Sequence, residues 1–295
     1  MEIIVFSKAM YSTWLYYAPD RIMFDCGEGV STFLTNKIYA VQRIFLSHGH
    51  AEHISGLWGF LNTRNSAMGE REKPLEIYYH SSSSRIRKYL EFIVESSNRL
   101  RYDILVREID EGFTLPLFPK EEGAPTRSAL DRKAKKSRYL EAFSTKHMET
   151  ECTLGFHIKE TRKRLKEPYR SMSQSDIRKA IQSKGSEEIS EYYDQNLFTY
   201  SGDGLVMPRS RMENTDTLFH ECTFLDIDER KGENHTSLEE LVEPVLAAKP
   251  KELYLYHISS RYTDSLRERI EKFERKMAEN NVKVNVVPPG KICYF

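Results

Sequence analysis

Residues 45–59 read FLSHGHAEHISGLWG, and within them His48, Gly49, His50, Ala51, Glu52 and His53 set three imidazoles and one carboxylate into six positions. Neutral imidazole and carboxylate are ligands that zinc and other first-row divalent ions accept. In an extended segment His48 and His50 point to the same side, while Glu52 and His53 turn with the start of a helix. Packing has no use for such a run, so a metal site is expected. Three further groups each close an apolar run: His147 ends AFSTKH, Asp203 ends FTYSGD, and His257 lies in YLYHIS. Functional side chains of α/β folds gather at the carboxyl ends of strands, so these scattered residues can converge on the cluster. His48, His50, Glu52, His53, His147, Asp203 and His257 are too many for one tetrahedral ion and fit two. A two-metal centre clamps both the attacking and the leaving oxygen of a phosphodiester displacement.

The elements that must carry these groups are legible as alternating strands and helices. Apolar runs predict strands at 3–6, 21–25, 43–47, 75–79, 140–145, 197–203, 217–221 and 253–257. Amphipathic helices are predicted in SSSSRIRKYLEFIVESSN, TSLEELVEPVLAAK and DSLRERIEKFERKMAEN. Alternation of this kind indicates an α/β protein. Residues 117–138 are polar, hold Pro119 and Pro125, and read as an insertion; a second insertion, mostly a basic helix, follows LGFHIKE.

Composition narrows the class. With 39% hydrophobic and 30% charged residues the chain is an ordinary globular protein rather than a disordered one. No run approaches 18 consecutive apolar residues, and the opening MEIIVFSKAMYS has no basic head before a long apolar stretch, so a cytoplasmic protein without a membrane span or secretory signal is expected. Cys26, Cys152, Cys222 and Cys293 form no C-x-x-C pair, which predicts free buried thiols. Lysine plus arginine balance aspartate plus glutamate at 44 each, so net charge names no partner. The distribution is uneven, however. Residues 127–138 carry six bases and one acid, and residues 159–184 nine bases and three acids.

The H-x-H-x-E-H motif, with His147, Asp203 and His257 following in that order, resembles the metallo-β-lactamase superfamily. Within it the chain is similar to ribonuclease Z, the endonuclease that trims the 3′ end of tRNA precursors. The further features are FDCGEG at Asp25, STKH before His147, SGD at Asp203, HECTF at His220, NHTS at His235 and YHISSRY at His257. The resemblance implies an αβ/βα four-layer sandwich as one domain over 1–295, with the basic insertion at 117–138 and a tRNA-binding arm at about 157–195. It implies two zinc ions, manganese or another divalent metal being possible. His48, His50 and His147 would hold the first, Glu52, His53 and His257 the second, and Asp203 would bridge. It implies Asp25 as a brace of the ligand loop and His235 as general acid for the leaving 3′ oxygen. His220 and Glu221 would orient His235 or neighbouring ligands. Glu52 stands where members usually carry aspartate, the ligand that also serves as proton acceptor.

The arm of many members is rich in Gly and Pro, whereas residues 159–184 hold only Pro168. A helix carrying Arg162, Lys163, Arg164, Lys166, Arg170, Arg178 and Lys179 is expected to meet the phosphates of folded RNA without reading bases. The implied partners are precursor tRNA and a second copy of the chain, one subunit's arm gripping RNA cut by the other, with no membrane partner. With water as nucleophile, the tRNA keeps a 3′-hydroxyl and the trailer a 5′-phosphate. Two other readings stand beside this one: a hydrolase of the same fold acting on a small phosphodiester or thioester, and a non-catalytic RNA-binding subunit.

Overall fold

Along β1 (Ile3–Lys8) and β2 (Ser12–Tyr17) successive side chains point to opposite faces, and both faces are apolar. Ile3, Val5, Leu15 and Tyr17 enter one core, while Ile4, Trp14 and Tyr16 enter another. Strands apolar on both sides must be covered on both sides, and a layered fold does this. The computed structural model describes residues 2–67, 73–97, 100–117, 138–147, 149–230 and 232–295.

Among these residues the strands form two sheets. In the first, β1, β2, β3 (Ile22–Phe24), β4 (Arg43–Phe45), β5 (Leu75–His80) and β6 (Ile104–Ile109) lie in chain order. The second begins at β7 (Thr114–Pro116) and continues through β8 (Arg138–Thr145), β9 (Thr153–Leu165), β10 (Ser190–Tyr200), β11 (Thr215–Glu221), β12 (Glu252–Tyr256) and β13 (Lys283–Val286), again in order. The last strand, β14 (Ile292–Tyr294), returns to the free side of β1. The sheets face each other across an aromatic core in which Phe24 meets Phe156, Phe198 and Tyr200 at 5.3–5.5 Å between ring centroids. Burying each such ring contributes about 1.5–3 kcal/mol.

Helices cover the outer faces. On the first sheet lie α1 (Val30–Leu34), α2 (Ala51–Ile54), α3 (Leu57–Ala67) and α4 (Ser84–Ser96). The α4 helix starts where Ser83 accepts from Ile86 N, and it buries Ile86, Leu90 and Ile93, one turn apart. Beyond α5 (Gln174–Lys184), α6 (Ser186–Ile189) and α7 (Arg209–Met212), the second sheet is covered by α8 (Leu238–Ala248) and α9 (Leu266–Ala278). A Ser237–Glu240 capping box starts α8, and α9 buries Ile270, Phe273 and Met277. The result is the expected αβ/βα four-layer sandwich.

The second insertion departs from expectation. Arg162, Lys163 and Arg164 lie not on a helix but on the outer half of β9, where they pair across with Tyr193, Tyr192 and Glu191 of β10. Cross-strand pairing overrides the weak local preference of this polar run, and the helix α5 begins only at Gln174. β8 accompanies β9 only to Glu160, and β11 accompanies β10 only from Asn196. Among the described residues, 161–165 and 190–194 are therefore paired only with each other, and they carry α5 and α6 beyond the sheet as an arm. Of the first insertion, residues 118–137 lie outside the described residues. The four cysteines are free, but only Cys26 and Cys222 are buried; Cys152 is exposed, because it sits in the loop joining β8 to β9.

Candidate metal centre

The candidate ligands follow β4, β8, β10 and β12 at their carboxyl ends, so the two sheets bring them together along one edge. Among the described residues five sets of ligand atoms lie within 4.8 Å of one another: His48, His50 and His147; Glu52, His53 and His257; His48, His53 and Asp203; His147, Asp203 and His235; and Glu221, His235 and His257. Asp203 is central. Its Oδ2 lies 3.1 Å from His53 Nε2, 3.1 Å from His257 Nε2 and 3.9 Å from His48 Nε2.

Four of the candidate imidazoles are oriented by a bond on the nitrogen that faces away from the centre. His53 Nδ1 donates to Asp25 Oδ2 at 2.8 Å. Ser47 Oγ donates its hydrogen to Asp25 Oδ2, so it accepts from His48 Nδ1 at 2.9 Å. In the same way Thr223 Oγ1 donates to Glu221 Oε2 and accepts from His257 Nδ1 at 2.9 Å. His147 Nδ1 donates to Asn234 O at 2.7 Å. These bonds leave Nε2 of His48, His53 and His257 facing Asp203, and Nε2 of His147 facing His50 Nδ1 at 3.5 Å, the orientation that ligating histidines require. Nε2 of His48, His53 and His257 and both oxygens of Asp203 are buried without a hydrogen-bond partner. Unpartnered buried polar atoms are costly, and here they all face one another, so the residues fit divalent cations.

Electrostatics agree with that fit. Burial pushes His48 well below the usual imidazole range, helped by His53, and burial lowers His257 to about 4 against the pull of Asp203. Both are neutral, as ligands must be. Burial also opposes charge on His53, but Asp203 and Asp25 outweigh it and hold that ring well above its usual range. A proton on His53 is the positive charge that two buried carboxylates demand, and metal binding would release it.

Two carboxylates brace the centre from opposite sides. Asp25, at φ 57°, accepts from Ser47 N, Ser47 Oγ, His53 Nδ1 and Tyr200 Oη. Its loop packs backbone to backbone on α2: a Cβ on Gly27 would meet Glu52 O at 2.3 Å, so only glycine admits this approach. Glu221 accepts from Gly204 N, Thr236 N and His235 Nδ1 on Oε1, and from Thr223 on Oε2. His235 stands at the rim, its side chain 17% exposed, with its ring 5.4 Å from that of His257 and 4.8 Å from that of His147. Burial opposes its charge, but Glu221 outweighs this and raises its pKa to about 9. His220 has another task. Its Nδ1 donates to Glu221 O and its Nε2 accepts from Met207 N, so it holds the loop after Asp203.

Ser47, Thr223 and Tyr200 were not singled out in the sequence. Ser47 and Thr223 stand beside predicted ligands, which was their only signal, and Tyr200 reads simply as a core aromatic. The seven basic residues of the arm are not near the centre, and most are paired: Arg162 with Glu160, Lys163 with Glu187, Arg164 and Arg170 with Glu191, and Lys179 with Asp176 at 4.0 Å. Lys166 and Arg178 make no ion pair among the described residues.

Known proteins share this arrangement of chain and fold. Ribonuclease Z of Thermococcus onnurineus is 28% identical over 84% of this chain and 79% of its own length. Ribonuclease Z of Staphylococcus carnosus is 26% identical over 83% of this chain and 80% of its own. The crystal structure of the short form of human tRNase Z superposes with a TM-score of 0.61 at 18% identity, covering 99% of this chain and 98% of that one. The ribonuclease Z likeness and the metallo-β-lactamase fold read from the motifs are thus borne out, and an enzyme of that hydrolytic type accords with them. A family match runs from β1 to the end of α9 and takes in every strand end that bears a candidate ligand: by residues 6–279 the chain belongs to the family described as Anti-Pycsar protein Apyc1.

Proposed function

We propose that the chain is a zinc-dependent endoribonuclease that removes the 3′ extension of tRNA precursors in the cytoplasm. The observation that carries the reading is Asp203, buried with both oxygens unpartnered among imidazole Nε2 atoms, in a chain whose relatives are named ribonuclease Z. His48, His50 and His147 would hold one ion and Glu52, His53 and His257 the other, with Asp203 between them. Such a pair, when bound, activates water at neutral pH and offsets charge developing on the phosphodiester.

The chain's own groups do the rest. Glu221 holds a proton on His235 Nδ1, which leaves His235 Nε2 at the rim to protonate the departing 3′ oxygen. Glu52, half-buried beside His53, is the proton acceptor. The glutamate reaches where an aspartate usually stands because the requirement is on the position of its oxygen, and one more torsion meets it. The arm leaves the sheet at the amino end of β10, whereas Asp203 follows its carboxyl end. Eleven residues of strand, on the order of 35 Å, separate them. An arm so placed serves a neighbouring centre better than its own, which supports a homodimer in which each arm holds RNA cut by the partner.

A second reading, a hydrolase of small phosphodiesters, is favoured by the pairing of the arm's bases with acids, which reduces its hold on phosphates. The two are separated by incubating the zinc-loaded protein with a 3′-extended tRNA precursor and with a small chromogenic phosphodiester, and mapping RNA ends. Cutting beside the acceptor stem to a 3′-hydroxyl and a 5′-phosphate supports the endoribonuclease. Turnover of the small ester alone supports the second reading, and RNA binding without any cleavage supports a non-catalytic subunit.

A further inference from the structure

We propose that Glu151 is a positioning residue for the turn His48–Gly49–His50 and sets how tightly that side of the centre holds its ion. The inference rests on the two-ion reading above. The imidazoles of that side come from segments far apart in sequence, His48 and His50 after β4 and His147 after β8. Glu151, four residues beyond His147 with its side chain 10% exposed, joins them. Its Oε1 accepts from Gly49 N at 2.8 Å and from Ser83 Oγ at 2.6 Å. Gly49 is the one residue between the two ligands, so this bond fixes the backbone that spaces them. The carbonyl of Gly49 accepts from Arg85 Nη1 at 3.4 Å, and the same nitrogen lies 3.9 Å from Glu151 Oε2.

Both polar backbone atoms of Gly49 are therefore held by charged side chains, and the fit is close. A Cβ at position 49 would meet Glu151 Oε1 at 2.6 Å and Ser83 Oγ at 3.2 Å. Ser83 in turn caps α4, whose apolar face is set in the core, so the carboxylate ties the ligand turn to a rigid element. Asp25 and Glu221 each accept from an imidazole as well as from backbone; Glu151 accepts from the backbone between two of the imidazoles. Groups that orient ligands in this way are worth about 10–100-fold in metal affinity.

The test is titration of chelator-stripped protein with zinc against a competing chromogenic chelator, with thermal midpoints of the metal-free proteins measured alongside. Glu151→Ala is expected to weaken one zinc equivalent about 10–100-fold and leave the other nearly unchanged. Glu151→Gln, whose amide oxygen still accepts from Gly49 N, is expected to recover most of the loss. Wild-type affinity for both equivalents in Glu151→Ala overturns the inference, as does loss of both with a lowered metal-free midpoint that glutamine does not restore. If Glu151→Ala does not fold, Ser83→Ala replaces it, with a severalfold loss at one equivalent expected and no change overturning the idea. A wild-type protein that binds fewer than two equivalents sinks the two-ion reading instead.

Discussion

The centre and the arm hold polar groups under opposite conditions. At the centre, buried nitrogens and carboxylate oxygens face one another without partners, although water is excluded and each missing bond is costly. On the arm, exposed cations that water could solvate have found acids: Lys163 meets Glu187 at 2.9 Å and Arg164 meets Glu191 at 2.8 Å. Exposed pairs of this kind contribute little, about 0–1 kcal/mol, so they tune the surface rather than hold the fold. An arrangement that tolerates unpartnered buried groups is built for an ion; one that neutralises exposed charge has no such need. The contrast predicts that substitutions at the centre act through metal and chemistry, and those on the arm through RNA affinity alone.

The largest effect is expected for Asp203→Asn. Removing the shared carboxylate should lower zinc stoichiometry and cut hydrolysis of every substrate by about 10³-fold or more, since a metal supplies several kcal/mol of charge stabilisation. Elemental analysis and turnover on RNA and a small phosphodiester read this out. Two zinc ions and unchanged rates would break the comparison at its root. His235→Ala should lower turnover on RNA by about 10²–10⁴ with metal content unchanged, as for a general acid. Loss of zinc in that variant would make His235 a ligand.

Glu52 offers a finer division. Glu52→Gln should weaken one ion and slow cleavage by about 10²-fold, because an amide binds metal poorly and accepts no proton, while Glu52→Asp should do less harm. Full activity and both metals in Glu52→Gln would make the carboxylate a spectator.

On the arm, Lys166→Ala with Arg178→Ala should weaken precursor binding about 3–10-fold and reduce its salt slope, because each lost phosphate contact removes a counterion-release contribution. Arg162→Ala with Arg164→Ala should do less, since those cations are already compensated. Hydrolysis of the small ester should not change in either. Filter-binding over a salt series decides between them, and equal losses would mean that the ion pairs open on RNA.

The smallest effect is on stability. His235 is raised from 6.5 to about 9 in the folded chain, so its contribution is fully present below pH 6.5 and is lost as pH rises through 9. Metal-free wild type should therefore lose more urea resistance between pH 6.5 and 9 than metal-free His235→Ala. Parallel curves would show that Glu221 does not hold the proton there.

The chemistry of the centre was legible because its signals are local: ligand types stand in the sequence itself, and the ends of apolar runs mark strand ends. Four of the strands so read, β4, β8, β10 and β12, deliver candidate ligands to one edge. The arm misled for a related reason. The run from Arg162 to Leu165 carries no strand periodicity of its own, and only its register against β10 makes it a strand. Its compensating acids, Glu187 and Glu191, come more than twenty residues later, so the local count of bases overstated the field that the fold presents.

What the sequence alone determined is which atoms could bind metal and roughly where each strand stops, because side-chain chemistry and backbone periodicity are properties of neighbouring residues. What only the tertiary structure decided is which groups orient those atoms. Tyr200 reaches Asp25 across 175 positions and Glu151 reaches Gly49 across 102. Such bonds depend on the packing of one sheet against the other, and no local pattern encodes it.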